Sequence, residues 1–415
     1  VHHAQNFTDI DDKIIARANE AGVPPSHLTE SLIREWRDET AALNILPATV
    51  YPRATEELPG IIAMIEGLIA KGHAYQADGD AYFRVRSFPS YGKLSHRTLD
   101  DLLAGARIEV DERKDDPLDF ALWKAAKPGE PAWASPFGEG RPGWHIECSA
   151  MCTTHLGGVV DIHGGGADLI FPHHENEIAQ SEAFLGVVPF ARYWLHNGLL
   201  RLDGEKMSKS LGNMVRLRDI IERGLETAFR LLVLQSHYRA PLTYTDEGLQ
   251  AAERGLERLR VAARASDEGL LDHQTSGDPA ELAREARNAR ERFVNAMNDD
   301  FDTPGAIAAL FDLGRAINRH AAGGQDSPGL SEARDTLREL AGVLGIDLEE
   351  ADQVDVMGAA PFIELLISVR ESLRAGKQWA QADLIRDGLE ERGISIEDGA
   401  SRTTWRFDGP AGRRR

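Results

Sequence analysis

Gly158-Val159-Val160-Asp161-Ile162, then Gly164-Gly165-Gly166, then a helical pattern opening near Pro172: this stretch decides the fold. The first five residues read as a buried strand. The glycines permit a tight connection or a close backbone approach to a ligand, and proline suits the first turn of a helix. A second strand is predicted over about residues 193–200. Strand alternating with helix in this way predicts an α/β unit on a parallel sheet.

Upstream, the 3.6-residue spacing predicts helices over about residues 11–18, 26–43 and 58–70. Asp78-Gly79 between two short apolar runs, 74–77 and 81–85, predicts a hairpin. Residues 126–143 are rich in proline and glycine and read as an irregular loop. Downstream comes a polar loop, Asp203-Gly204-Glu205-Lys206-Met207-Ser208-Lys209-Ser210. Beyond it almost everything is periodic, at about 217–236, 246–265, 280–297, 304–320 and 331–344, which predicts a helical bundle. Residues 346–360 read as a linker. A helical pair at 361–374 and 378–392 follows, then a strand at 403–407.

A length of 415 residues suits two to four domains. No apolar run approaches the roughly 20 residues that span a bilayer, and no secretory signal is visible, so a membrane partner is not expected. With only two cysteines, Cys148 and Cys152, a disulfide framework is excluded and a reducing compartment, the cytoplasm, is expected. The net charge of -20 argues on its face against nucleic acid. A global sum does not exclude a local basic face, however, and the chain ends Arg413-Arg414-Arg415.

Cys148, His173 and Glu177 form the most informative constellation. His173 and Glu177 are four apart on an expected helix and so share a face. Thiolate, imidazole and carboxylate are all zinc ligands, and a catalytic zinc often has three protein ligands and an open position. The same residues also suit a buried thiol and a histidine at a helix start. His174 could compete as the ligand, and Cys152, one helical turn from Cys148, is expected to be a packed bystander. Trp144 would lie one turn from Cys148, placed either to wall a pocket or to fill a core. In Lys206-Met207-Ser208-Lys209-Ser210, two lysines in a small polar loop could grip phosphate oxygens or stabilise a departing pyrophosphate. An exposed charged turn is the plain alternative.

These residues together resemble the cysteinyl-tRNA synthetases, class I aminoacyl-tRNA synthetases. The lysine loop Lys206-Met207-Ser208-Lys209-Ser210 matches unaltered. So do the runs from Gly143 to Met151 and from Asp161 to Glu177, the opening Asn6-Phe7-Thr8-Asp9-Ile10-Asp11-Asp12-Lys13, and the closing stretch from Gly399 to Trp405. The resemblance implies a Rossmann-like parallel α/β catalytic domain over 1–245 with an inserted segment at about 58–139. It further implies a helical tRNA-binding domain at 246–345, then a linker and small anticodon-binding domain at 346–415. It places one zinc on Cys148, His173 and Glu177, with a fourth ligand on an earlier cysteine, and has the metal bind the thiolate of the substrate cysteine. Thr8, Trp144, His145 and Asp168 match positions around the cysteine and adenylate. Lys209 matches the ATP-binding lysine, and Lys206 shares the catalytic loop.

The implied activity is cysteine--tRNA ligation: L-cysteine and ATP, with magnesium, give cysteinyl-adenylate, and the cysteinyl group then passes to the 3′ end of tRNA(Cys). A monomer is expected. No cysteine precedes Cys148 and no His-x-Gly-His sequence occurs. The class uses that sequence at a helix N-terminus that holds ATP phosphates, so the expectation is that this 415-residue chain by itself forms adenylate poorly. Two other readings are a mycothiol-pathway cysteine ligase, which shares the catalytic half, and a non-catalytic synthetase-derived fragment that binds tRNA or protein.

Overall fold

The computed structural model describes residues 1–105, 112–202, 205–206, 215–264, 279–321, 328–348, 356–390, 392, 394–398 and 403–407. Lys209 and the basic end of the chain lie outside them. The chain divides into two compact units, Val1–Leu348 and Glu349–Arg415.

The first unit opens with parallel bridges from Ala4 to Val50 and from Phe7 to Arg53. Helix α1 (Asp12–Ala21) starts where the Asp11 carboxylate accepts from the Ile14 N–H, and it stops at Gly22, whose φ of 66° only glycine adopts at little cost. Helices α2 (Pro25–Ala42) and α3 (Leu58–Ala70) follow. The expected hairpin is present as β1 (Ala74–Ala77) and β2 (Asp80–Phe83). Asp78 and Gly79 both have positive φ, as a two-residue turn between twisted strands requires. After α4 (Leu99–Gly105), strands β3 (Phe120–Ala125) and β4 (Gly140–Pro142) complete an antiparallel sheet in the order β1-β2-β3-β4.

The 126–143 segment is therefore not wholly irregular. A Cβ at Gly140 or Gly143 would collide with the carbonyl oxygens of Lys124 and Ala121, so glycine lets β4 approach β3. Gly143 then leads directly into α5 (Trp144–Leu156). Ile146 and Ala150 of α5 pack into one apolar core with Ile61, Ile65 and Leu68 of α3 and with Phe83 and Trp123 of the sheet.

Strand β5 (Val160–Gly166) pairs in parallel with β6 (Ala191–Asn197) across α6 (Glu175–Leu185), the predicted α/β unit. One detail differs from expectation. The strand begins at Val160 and is mostly open, with Ile162 58% exposed, because among the described residues β5 pairs only with β6 and both of its faces are not covered. Helical backbone starts at Pro172, as expected, and continues as α6 from Glu175. Phe171 precedes a proline, which disfavours helical backbone there, and it is extended at φ -138° and ψ 132°. The helical segment through His173 and His174 runs straight into α6.

Strands β7 (Leu200–Leu202) and β8 (Glu205–Lys206) pair antiparallel, which places the Lys206 backbone opposite Arg201. The predicted 217–236 helix is two, α7 (Leu217–Glu222) and α8 (Glu226–Leu234), parted at Gly224 with φ of 70°. Strand β9 (Leu242–Tyr244) joins β7 in parallel. Helices α9 (Asp246–Arg264), α10 (Pro279–Asn298), α11 (Thr303–Ala321) and α12 (Pro328–Val343) enclose a leucine- and alanine-rich core that includes Leu249, Leu256, Leu310 and Leu337. Ile346 and Leu348 are buried in the same core, so this part of the expected linker is packed.

In the second unit, α13 (Val356–Ala375) and α14 (Trp379–Glu390) accompany the hairpin of β10 (Ile394–Asp398) and β11 (Thr403–Phe407). Ile363, Ile367, Leu389 and Ile394 form its core. No helix among the described residues is long and apolar enough to cross a membrane.

Candidate metal and substrate site

Helix α6 is unusual for what it buries. Glu175, Asn176, Glu177, Gln180, Ser181 and Glu182 are all buried. A buried carboxylate is costly unless its oxygens meet donors. Two of the three glutamates are met. Glu175 accepts from the Leu94 and Ser95 N–H groups at 3.1 and 2.8 Å. Glu182 takes the Lys93 ammonium at 2.6 Å and the Phe190 N–H at 3.0 Å. Glu177 differs: it is 0% exposed, and neither of its oxygens has a directed hydrogen bond.

Around Glu177 stand imidazoles and thiols. His173 Nε2 lies 2.9 Å from Oε1, and His163 Nε2 lies 3.0 Å from Oε2. These separations have hydrogen-bond length without hydrogen-bond direction. Cys148, His173 and Glu177 offer ligand atoms all within 4.8 Å of one another, and so do Cys152, His163 and Glu177. Orphaned buried oxygens that converge with soft and borderline donors are what a zinc-class ion requires, so the residues fit a metal. His174, the sequence's rival ligand, has its Nε2 4.0 Å from Oε1, and its Nδ1 is 2.8 Å from His196 Nε2.

The surroundings orient His173. Its Nδ1 is 2.9 Å from His145 Nδ1, so one ring donates to the other. Burial, aided by His173, holds His145 down to about 3, which leaves it neutral and able to accept. A histidine whose second nitrogen is so engaged has its Nε2 lone pair free for a ligand. Burial likewise holds His174 down to about 3. Burial also disfavours charge on His163 and Glu177, yet their mutual attraction prevails. His163 rises to about 10, and Glu177, with His173 also acting on it, is held well below the usual carboxylate range. Burial, with Glu177 next, pushes the Cys148 thiol up in the protein without an ion.

Of the expected substrate residues, Trp144 and His145 stand at the cluster. The Trp144 ring centroid is 4.3 Å from that of His173, and Trp144 is 45% exposed. Both line a cleft of about 380 Å³ with Asp12, Lys124, Arg141 and Glu147. Thr8 is half-buried on the segment leading to α1, and Asp168 is exposed on the turn after β5. Three participants escape sequence reasoning. Asn6 donates to Cys148 Sγ at 3.6 Å, His196 partners His174, and His163 faces Glu177. The placement of His163 is a property of the fold. It shares a strand face with Gly165, and a Cβ at Gly165 would touch the His174 ring at 2.8 Å, so that face looks toward the start of α6.

The geometry can be set beside known proteins. A family model described as tRNA synthetases class I (C) catalytic domain matches residues 1–254. A DALR domain matches residues 292–349, and a cysteinyl-tRNA ligase anticodon binding domain matches residues 360–406. A protein named cysteine--tRNA ligase from Dehalococcoides mccartyi is 55% identical over 408 residues, covering 98% of this chain and 86% of the relative. One of the same name from Desulfitobacterium hafniense is 52% identical over 413 residues, covering 98% and 87%. In fold, the chain resembles Mycobacterium tuberculosis methionyl-tRNA synthetase in complex with methionyl-adenylate, at 18% identity and a TM-score of 0.55, with 83% of this chain and 81% of the other covered. The fold, the cysteine–histidine–glutamate cluster and these matches lead to one conclusion: the chain belongs to the cysteine--tRNA ligase family of class I aminoacyl-tRNA synthetases.

Proposed function

We propose that this protein activates L-cysteine with ATP and transfers it to the 3′ end of tRNA(Cys) in the cytoplasm, as a monomer, with zinc held by Cys148, His173 and Glu177. The observation that carries the metal reading is Glu177: a fully buried carboxylate without a directed donor, flanked by a thiol and an imidazole. Zinc bound there supplies a soft Lewis acid that takes a thiolate far better than a hydroxyl, and so separates cysteine from serine where size alone would not.

The chain's own residues do the rest. His145 fixes the ring of His173. Trp144 walls the cluster against the cleft and limits the size of what enters. Thr8 and Asp168 are assigned to the cysteine and adenylate. In activation a carboxylate oxygen of cysteine attacks the α-phosphorus of ATP, and pyrophosphate leaves with the bonding electrons, its charge shared with magnesium. Lys206 and Lys209 are assigned to that charge, since a point cation gains strength as negative charge builds on the leaving group. A hydroxyl at the 3′ end of tRNA then attacks the carbonyl carbon and AMP departs. The match of residues 360–406 to an anticodon binding domain supports tRNA, rather than an amino sugar, as acceptor.

The test is cysteine-dependent ATP–pyrophosphate exchange. In a chain that also carries the His-x-Gly-His segment, Lys209→Ala should slow adenylate formation roughly ten- to a thousandfold and leave cysteine affinity nearly unchanged. Normal activation with much weaker cysteine binding would move Lys209 into the amino-acid pocket.

A further inference from the structure

Helix α6 and the turn of helix before it present two polar faces. At about 100° per residue, His173, Glu177 and Gln180 share one face. It looks toward α5, where the Gln180 amide donates to the His145 carbonyl and the Ser149 hydroxyl, both at 3.0 Å. Glu175 and Glu182 lie roughly 140–160° round the helix from Glu177. Both are buried against one segment, the turns of residues 91–97 between β2 and α4. We propose that this segment is a positioning strap for the metal centre: it sets the rotation of α6, and so the angle at which His173 and Glu177 meet Cys148. Its role rests on the metal reading of that cluster.

The strap grips the far face near both ends of the helix. The Leu94 and Ser95 N–H groups donate to Glu175 in the first turn. Two turns on, the Lys93 ammonium meets both oxygens of Glu182, at 2.7 and 2.6 Å. The Tyr91 hydroxyl donates to the side-chain oxygen of Asn176, the residue next to Glu177. Ahead of the helix, the Arg97 guanidinium sits 4.8 Å from the ring centre of Phe171.

Packing alone needs none of this direction. Leu94 already packs against the small core of Val160, Ile178, Phe190 and Ala191. Hydrogen bonds weaken steeply with angle, so bonds at both ends fix rotation as well as place. The strap is itself closed. The Arg97 N–H donates to the Gly92 carbonyl at 3.2 Å, and Gly92 has a φ of 94° where a Cβ would strike the Arg97 carbonyl oxygen. A helix released from such a strap samples other rotations, and the metal must then select the competent one. Apparent affinity falls by the fraction of chains so oriented.

The experiment starts from the zinc-loaded whole chain and extracts the metal with a chromophoric chelator. Lys93→Met is combined with Glu182→Gln, so that no buried charge is left unpaired. This double variant should raise the zinc dissociation constant about tenfold, near the lower end of what loss of an outer partner costs a metal site. Tyr91→Phe removes one hydroxyl and keeps the fold, and should raise it roughly two- to tenfold. Lys93→Arg should hold zinc as the wild type does. Arg86→Met is the control: it breaks an ion pair with Asp116 that involves no residue of α6, and should leave the affinity unchanged. The ligand-field bands of the cobalt(II)-loaded double variant should also move, reporting altered ligand geometry. Wild-type affinity in folded Tyr91→Phe and in the double variant overturns the strap and leaves the metal reading standing. An equal loss in Arg86→Met does the same, since it marks general destabilisation. A wild type that holds no zinc, or holds it without Cys148, overturns the metal reading, and the strap falls with it.

Discussion

The bundle from α7 to α12 and the α5–β5–α6 region are both well packed, but they bury opposite chemistry. The bundle hides leucine, isoleucine and alanine: Leu249, Leu310, Ile317 and Leu337 are fully enclosed. Helix α6 hides three glutamates, an asparagine and a glutamine. Apolar burial contributes roughly in proportion to area and tolerates small errors. Polar burial is stabilising only when each group is met, and its cost is steep where one is not. Glu175 and Glu182 have directed protein donors, whereas Glu177 faces only imidazoles without a directed hydrogen bond. The contrast sets Glu177 apart as the group on which the metal reading turns.

The sharpest way to break this contrast is Glu177→Gln, which keeps the shape and removes the charge. Metal affinity should fall on the order of a thousandfold, as expected from loss of one of a few ligands in a site worth about 10–16 kcal/mol. Metal content after gel filtration reads it directly. Undiminished metal would mean that the cluster is not organised on Glu177.

Leu310→Ala tests the other region. Removing a fully buried leucine from the bundle should cost about 2–5 kcal/mol in denaturant unfolding, with metal content per folded chain unchanged. Loss of metal together with stability would show that the two regions are one cooperative unit, and the contrast would fail.

A smaller effect is expected where the bundle meets the end of α2. Arg230 of α8 donates to the carbonyl oxygens of Leu344 at 2.6 Å and Leu43 at 2.7 Å, tying the end of the bundle to the end of α2. Arg230→Ala should cost about 1–3 kcal/mol, because two carbonyls lose a charged donor. Amide exchange should quicken near residues 43–46 and 344–346. Unchanged exchange there would make the arginine a surface decoration.

How much was legible in advance follows the same division. Helical periodicity located α9 to α12 within a few residues because apolar burial leaves a periodic trace. The Asp78-Gly79 hairpin was legible because its turn demands those residues. The helix start at Pro172 was legible because proline suits a first helical turn and keeps its predecessor, Phe171, out of helical backbone. The trio at Cys148, His173 and Glu177 was legible through the i,i+4 pair and the family resemblance. His163 was not singled out, because its approach to Glu177 depends on how β5 packs against α6, and no local spacing records that.

The central claim is that the Glu177 cluster holds a metal that recognises the cysteine thiol. Its most direct test is the absorption spectrum of the cobalt(II)-loaded protein, recorded as L-cysteine or L-serine is added without ATP. The account predicts that cysteine strengthens the thiolate-to-cobalt band and that Cys148→Ala abolishes this response, while serine leaves the spectrum unchanged at the same concentration. A spectrum indifferent to cysteine, or moved equally by serine, would contradict it.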